Sequence, residues 1–222
     1  MPWYENRPLI KKILNPSPTI QSNSQITKVI TMLPKDAKIG DLGAGGRKIT
    51  PDTITIDFAK IGDTNIVADI HYVPIKDKIF DCIFCTGTLE HVEFPEKVLE
   101  EIRRILKKNG IVYIDVPFIQ CYHPDPVDYW RFTIKGLELI CLRNGFIKIK
   151  TGVNIGSASA LTWVLMSFFQ SFFFGRTLKK IFTTFFNILV SPLKYLDKYT
   201  IKGENSIITP SAVFFIGTKD QD

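Results

Sequence analysis

The run Lys38-Ile-Gly-Asp-Leu-Gly-Ala-Gly-Gly-Arg47 constrains the fold more than any other stretch of the chain. It reads as a short apolar strand that enters a glycine-rich turn. Glycine tolerates positive φ and lets a ligand approach the backbone, so Gly43 and Gly45 allow a sharp bend beside a bound molecule. In open α/β sheets such turns lie at the carboxyl ends of strands, where ligands bind. The flanking pattern agrees. Short apolar runs at 38–42, 53–56, 66–68, 80–85 and 111–116, and later at 147–150 and 212–218, alternate with helical stretches. This alternation predicts an α/β fold, a doubly wound and mostly parallel sheet covered on both faces.

The helix signals are local. Residues 22–33 read as a helix ending before Pro34. Over 95–108, Pro95 opens the first turn, Glu96, Glu100 and Glu101 come early, and Arg103, Arg104, Lys107 and Lys108 come late, an order that suits the helix dipole. Asn109-Gly110 should stop that helix. A further helix over 134–143 starts from Thr133 as N-cap and ends at Asn144-Gly145.

Three acids, Asp41, Asp57 and Asp69, stand at the ends of three successive predicted strands. An acid at the position of Asp57 can accept hydrogen bonds from both ribose hydroxyls of a nucleoside ligand, and a side chain at Asp69 can reach an adenine amino group. A nicotinamide dinucleotide is the rival ligand. Its fingerprint requires a third glycine where this chain has Lys48, which weakens that reading.

Asp41-Leu-Gly-Ala-Gly45, Asp57, Ala68-Asp-Ile70, Phe80-Asp-Cys-Ile-Phe-Cys85, Leu89-Glu-His-Val92 and Leu106-Lys-Lys-Asn-Gly110 together resemble the class I S-adenosylmethionine-dependent methyltransferases, most of all their small-molecule and glycan branch. The resemblance covers residues 38–150 and says little about the acceptor. It implies a seven-stranded, Rossmann-like sheet whose last strand, at 212–218, runs antiparallel to the rest. It also implies S-adenosylmethionine as cofactor. Gly43 and Gly45 would line the methionine moiety, Asp57 the ribose, and Asp69 and Ile70 the adenine, with Asp41 as a further cofactor-binding residue. Thr86 and Gly87 would flank the transfer site.

Methyl transfer needs the acceptor held in line with the methyl group and water kept out. A hydroxyl acceptor also needs a base. The chain has three histidines, at 71, 91 and 123. His91 follows the fourth strand, and His123 lies in Cys121-Tyr-His-Pro-Asp-Pro-Val-Asp-Tyr-Trp-Arg-Phe-Thr133. That loop resembles one in bacterial methyltransferases associated with polysaccharide biosynthesis. His123, His91 and Asp128 are the candidate catalytic groups. Tyr122, Asp125, Tyr129, Trp130 and Arg131 are candidate acceptor-binding groups, because aromatics with a few polar side chains line pockets. The alternative is that the aromatics pack under the next helix while Arg131 pairs with Asp128. Some relatives bind a divalent ion through Glu-x-x-Glu-His at this place. Here Glu90 and His91 match but Gly87 replaces the first acid, so no metal is expected.

The net charge of +6 is uneven. Across 161–203, Arg176, Lys179, Lys180, Lys194, Lys198 and Lys202 face Asp197 alone, which gives +5, and the same stretch holds 8 of the 17 Phe. A charge-free run from 151 to 175 contains only 15 densely apolar residues, too few to span a bilayer. The pattern then becomes amphipathic. This predicts a helical insertion over 157–202 within one domain of 1–222, after a lead-in and helix over 1–36. Residues 161–200 would make a peripheral contact with an anionic membrane face. A cap over the sheet and a homodimer interface are the alternatives, and nucleic acid is disfavoured because the aromatics are mostly Phe in continuous apolar runs. Cys82, Cys85, Cys121 and Cys141 show no disulfide framework, and 1–8 has no apolar signal core, so a reduced, cytoplasmic setting is expected. The leading reading is an O-methyltransferase acting on a sugar hydroxyl or other small, lipid-linked acceptor in envelope or glycan synthesis. An RNA methyltransferase and a non-catalytic binding module remain as alternatives.

Overall fold

The computed structural model describes residues 19–172 and 176–220. The Pro-rich lead-in up to residue 18, residues 173–175 of the insertion and residues 221–222 lie outside that set. Seven strands form one sheet in the order β3-β2-β1-β4-β5-β7-β6. They are β1 (Ile39–Leu42), β2 (Ile54–Asp57), β3 (Ile66–Val67), β4 (Phe80–Thr86), β5 (Leu106–Pro117), β6 (Phe146–Ile155) and β7 (Ala212–Lys219). β1 pairs in parallel with both β2 and β4, and β4 pairs in parallel with β5. The amide of Ser211 bonds the carbonyl of Ile155, and the amide of Asp220 bonds that of Gly145. Partner numbers that rise on one strand as they fall on the other make β7 antiparallel to β6, as expected.

The order reverses between β1 and β4, and the carboxyl ends of those two strands are where an open sheet leaves a crevice. One side of the sheet carries a cluster of Val29, Ile39, Cys82, Phe84, Tyr113, Phe214 and Ile216, all buried. Phe84 and Tyr113 meet with ring centroids 5.7 Å apart, and Tyr113 stacks on Phe214 at 6.1 Å. Fully burying side chains of this size is worth about 1.5–3 kcal/mol each, which fixes β1, β4, β5 and β7 against one another.

Helix α1 spans Thr19–Thr31, earlier by a few residues than its sequence signal. Helix α2 spans Pro95–Ile105 and buries Val98, Leu99, Ile102 and Ile105 along one stripe. It stops three residues short of the expected Lys108, because Leu106 already pairs with Phe80 as the first residue of β5. The Asn109-Gly110 signal is still used. Asn109 sits at φ 58°, and the register moves from Phe80↔Leu106 to Cys82↔Ile111, so the pair absorbs a bulge inside the strand. Helix α3 (Ile134–Arg143) matches its expected bounds, with Thr133 Oγ1 accepting from the Gly136 amide at 3.0 Å.

The chain divides into two compact units. The first comprises Ile26–Pro117, His123–Gly152 and Val213–Asp222 and carries the strand ends just described. The second comprises Met1–Gln25, Phe118–Tyr122 and Val153–Ala212. Within it, α4 (Ser157–Ser171) and α5 (Arg176–Val190) are followed by a 3-10 segment (Ser191–Leu196) and α6 (Asp197–Thr200). Buried Asp197 organises this unit. Its carboxylate accepts the amides of Gly156, Ala158 and Ser159 at the start of α4, and the hydroxyls of Ser159 and Thr200. An acid at a helix N-terminus satisfies free amides and suits the dipole. Phe169 of α4 stacks on Phe186 of α5 at 4.2 Å.

Candidate functional site

In the first unit, a cleft opens at the carboxyl ends of β1, β2 and β4. It is lined at one end by Gly43, Gly45, Asp57, Phe58 and Ile70, and at the other by Gly87, Thr88, His91 and Asp125. The turn after β1 is built for close approach. Gly43 (φ 71°) donates its amide to the Ile56 carbonyl at 2.8 Å, and a Cβ there would lie 2.3 Å from the Thr88 side chain. Gly45 (φ 59°) faces open space, so nothing from the protein fills the position beside its Cα. Its amide donates to Asp57 Oδ2 at 2.9 Å, which ties the turn to the end of β2.

The acids behave differently from one another. Asp57 is buried and keeps acceptor capacity beyond its bonds to Gly45 and Ala59. Asp69 is exposed, and His71 holds its carboxyl below the usual range by donating its amide and offering Nδ1 at 2.6 Å. Asp41 does not line the cleft. It is completely buried, neither carboxylate oxygen has a partner, and burial pushes its carboxyl up to about 7 against the opposing pull of Arg47. A buried carboxylate left in this state is a strong attractor for a cationic group. Thr86 also lies off the cleft wall and receives a hydrogen bond from the Arg47 guanidinium on its hydroxyl. Asp115, beside Thr86 through the Gly87 amide bond to its carbonyl, is likewise raised to about 7 by burial.

The loop after β5 lies along the short 3-10 turn Leu89–His91. The Glu90 carbonyl accepts the Tyr129 and Trp130 amides, the Val92 carbonyl accepts Trp130 Nε1 at 2.9 Å, and the Pro117 carbonyl accepts the Phe132 amide. Trp130 and Tyr129 therefore have backbone roles as well as half-exposed rings. Inside the loop, Asp128 is the organiser. Its side chain is 1% exposed, it holds Arg131 at 2.5 and 2.6 Å through both oxygens, and it accepts the His123 amide at 2.9 Å. The Arg131 guanidinium holds the Asp128 carboxyl down at about 2. So low a pKa and so full a set of partners make Asp128 a positioning residue for His123 rather than a base. This is the Arg131–Asp128 pairing named above as the alternative reading. Tyr122 belongs to the second unit and is exposed.

What the loop places is an imidazole. His123 Nε2 lies 4.0 Å from Glu90 Oε1, and His91 Nε2 lies 3.8 Å from the same oxygen. The two rings meet edge to face at 5.2 Å. Glu90 is 2% exposed, its Oε2 has no partner, and burial pushes its carboxyl up to about 8. Along the chain Glu90 is marked only by its spacing to Gly87 and His91; that His123, 33 residues on, returns to it is visible only in the fold. Phe58, Thr88, His71 and Arg47 were also missed. Phe58 directly follows Asp57 at a predicted strand end, which is a usable signal; Thr88 stands three residues past the predicted end at Cys85, His71 follows Asp69-Ile70, and Arg47 closes the glycine run.

Residues 46–114 match the family described as methyltransferase domain. The fold is that of the class I S-adenosylmethionine-dependent methyltransferases. An uncharacterized protein of Methanocaldococcus jannaschii is 37% identical over 94 residues, 37% of this chain and 41% of its own length. The tRNA U34 carboxymethyltransferase of Campylobacter jejuni is 33% identical over 78 residues, 30% of this chain and 27% of its own. The chain thus matches less than half the length of these curated relatives. Among solved structures, the phosphoethanolamine N-methyltransferase 2 of Haemonchus contortus, in complex with phosphomonomethylethanolamine and S-adenosylhomocysteine, superposes with a TM-score of 0.60 at 16% identity, over 96% of this chain and 57% of that one. The methyltransferase domain match begins at Gly46, just past the glycine turn, and ends at Ile114 in β5, so it holds Asp57, Asp69, Glu90 and His91 but not the His123 loop.

Proposed function

We propose that the chain is an S-adenosylmethionine-dependent O-methyltransferase, acting on a sugar hydroxyl or another small, lipid-linked acceptor in envelope or glycan synthesis, on the cytoplasmic side. The observation that carries this reading is the convergence of His91 and His123 on buried Glu90 at the end of the cleft opposite Asp57. One end of the cleft suits a nucleoside and the other suits proton removal.

S-adenosylmethionine, when bound, supplies a methyl group already activated on a sulfonium. The donor set fits it. The open side of Gly45 accepts close approach, Asp57 has acceptor capacity for ribose hydroxyls, and Asp69 with Ile70 borders the adenine end. Gly87 leaves the space between cofactor and acceptor open. On the acceptor side, His123 Nε2 takes the hydroxyl proton, and Asp128 fixes the ring's backbone while Arg131 keeps Asp128 ionised. General-base catalysis of this kind is worth about 10²–10⁴-fold. Asp125 at the rim can orient a second hydroxyl. The exposed apolar stripe of the second unit, Leu161, Val164 and Phe168 on α4 with Phe172 just past its end, supports a lipid-linked acceptor.

A second reading, RNA methylation, draws on the tRNA-modifying relative and on the basic, aromatic residues of the second unit. One experiment separates the two. S-adenosylhomocysteine release is followed against nucleotide sugars, lipid-linked sugars and RNA, with calorimetry of S-adenosylhomocysteine in parallel. Turnover on a sugar acceptor, and loss of about 1.5–3 kcal/mol of cofactor affinity in Asp57→Ala, are expected. Turnover on RNA alone would replace the acceptor assignment, and absence of cofactor binding would overturn the reading as a whole.

A further inference from the structure

We propose that Glu90, His91 and His123 form a binding site for a single borderline divalent cation, of the zinc or cobalt class, at the rim of the cleft. One ligand atom from each of the three lies within 4.8 Å of the others. Two imidazoles and one carboxylate suit such ions, whereas calcium and magnesium prefer all-oxygen sets.

The orientation of the rings argues further than their proximity. His91 Nδ1 meets the Val127 carbonyl at 2.6 Å, and a carbonyl can only accept, so Nδ1 carries the hydrogen and Nε2 presents a lone pair. That lone pair faces Glu90 Oε1 at 3.8 Å. Two acceptors thus face each other in a buried position, and Glu90 Oε2 has no partner at all. Something positive belongs between them, either a proton on the carboxyl or a metal ion. The histidine-to-carbonyl bond is also the usual outer support of a metal-bound imidazole, setting both tautomer and ring angle. His123 Nδ1 stands between an acceptor, Asp128 Oδ2 at 3.5 Å, and a donor, Arg131 Nη2 at 3.4 Å, so its neighbours admit either tautomer; the one with the hydrogen on Nδ1 presents the Nε2 lone pair, 4.0 Å from Glu90 Oε1. Donors about 2.0–2.2 Å from a zinc-like ion lie about 3.4 Å apart in a tetrahedral site. The Glu90 separations of 3.8 and 4.0 Å therefore need inward movements of a few tenths of an ångström, and the two imidazoles, whose donors lie within 4.8 Å of each other, an approach of at most about 1.4 Å. His91 and Gly87 line the cleft and Glu90 Oε1 lies 3.6 Å from where a Gly87 Cβ would be, so the remaining coordination positions open toward the place of transfer. Gly87, where an extra acid was sought along the chain, is not needed as a ligand, because His123 supplies the third donor.

The ion's role in transfer rests on the proposed function: with the ion present, His123 holds it rather than taking the proton. The site itself rests only on its donors. The test uses the full chain freed of metal by a chelator and titrated with Co²⁺, read by calorimetry and by visible absorption, with S-adenosylhomocysteine binding measured on the same samples. One Co²⁺ per chain with the absorption of a nitrogen-ligated ion is expected. Glu90→Gln and His123→Ala should weaken it by at least about 100-fold and Asp128→Asn by about 10–100-fold, while His71→Ala should leave it unchanged. No saturable Co²⁺ binding, or binding indifferent to Glu90→Gln and His123→Ala, in samples that still bind S-adenosylhomocysteine, overturns the cation site and leaves the methyltransferase reading intact. Co²⁺ binding that depends on Glu90 and His123 in a protein blind to S-adenosylhomocysteine supports the cation site and defeats the methyltransferase reading.

Discussion

Replacing Asp128 with Asn tests whether one buried carboxylate holds the histidine loop. Asn keeps the shape and one acceptor oxygen but removes the charge that binds Arg131 through both oxygens. The Arg131 guanidinium holds the carboxyl at about 2, below its ordinary value of 3.8. At about 1.36 kcal/mol per pH unit, that difference corresponds to about 2 kcal/mol of stability at neutral pH. Arg131 is 27% exposed, so solvent screening makes this figure an upper bound. The sign follows from the depressed pKa. The contribution is complete above pH 3.8 and is lost as pH falls through 2, so by pH 3 it should be roughly half its neutral value. Urea unfolding of native protein and Asp128→Asn, followed by circular dichroism at pH 7, 5, 4 and 3, measures the difference directly. The expected result is a gap of up to about 2 kcal/mol at pH 7 that narrows toward pH 3, with turnover falling further than cofactor affinity. A gap under about 0.5 kcal/mol, or one that stays constant with pH, would refute the assignment of Asp128 as an ionised anchor.

Three further outcomes follow from the same geometry. Gly43→Ala should abolish S-adenosylhomocysteine binding and destabilise the fold, because its φ of 71° and a Cβ 2.3 Å from Thr88 oppose any side chain; calorimetry with retained affinity would contradict the close-approach role. Burial raises Glu90 to about 8 and Asp41 and Asp115 to about 7, so metal-free protein should lose stability as pH rises from about 4.5 to 8, seen as a falling Tm. Glu90→Gln should flatten that slope, and a Tm that climbs over the same window would contradict the assignment. Flotation with anionic liposomes should carry the protein at low salt and release it at high salt, and replacing 161–200 with a short linker should end binding. A monomer that ignores such liposomes removes the support for a lipid-linked acceptor, and a salt-insensitive dimer makes the segment a protein interface.

The parts of this fold that were legible in sequence are those fixed by local chemistry. The turn at Gly43 and Gly45 demands positive φ, Thr133 caps the helix that follows it, and apolar runs of strand length could be buried only in a sheet covered on both faces. Boundaries shifted where a tertiary partner outweighed a local signal. Charge order and helix propensity carried 95–108 forward as a helix, but pairing of Leu106 with Phe80 ended it at Ile105 and turned Asn109-Gly110 from a stop into a bulge. The site divides along the same line. Asp57 and Asp69 were visible because each ends a strand of the same sheet, so their order along the chain is also their order across the cleft. The Glu90–His91–His123 cluster was not, because its third member arrives on a loop held by the Asp128 carboxylate and by two backbone amides bonded to the Glu90 carbonyl. Spacing along the chain could reject Gly87 as a ligand, but only the folded loop shows that Glu90 has a second imidazole in reach. Chemistry assembled from loops after different strands is set by such long-range hydrogen bonds, and in this protein the acidic residue that makes them, Asp128, is also the one that sequence alone casts as a catalyst.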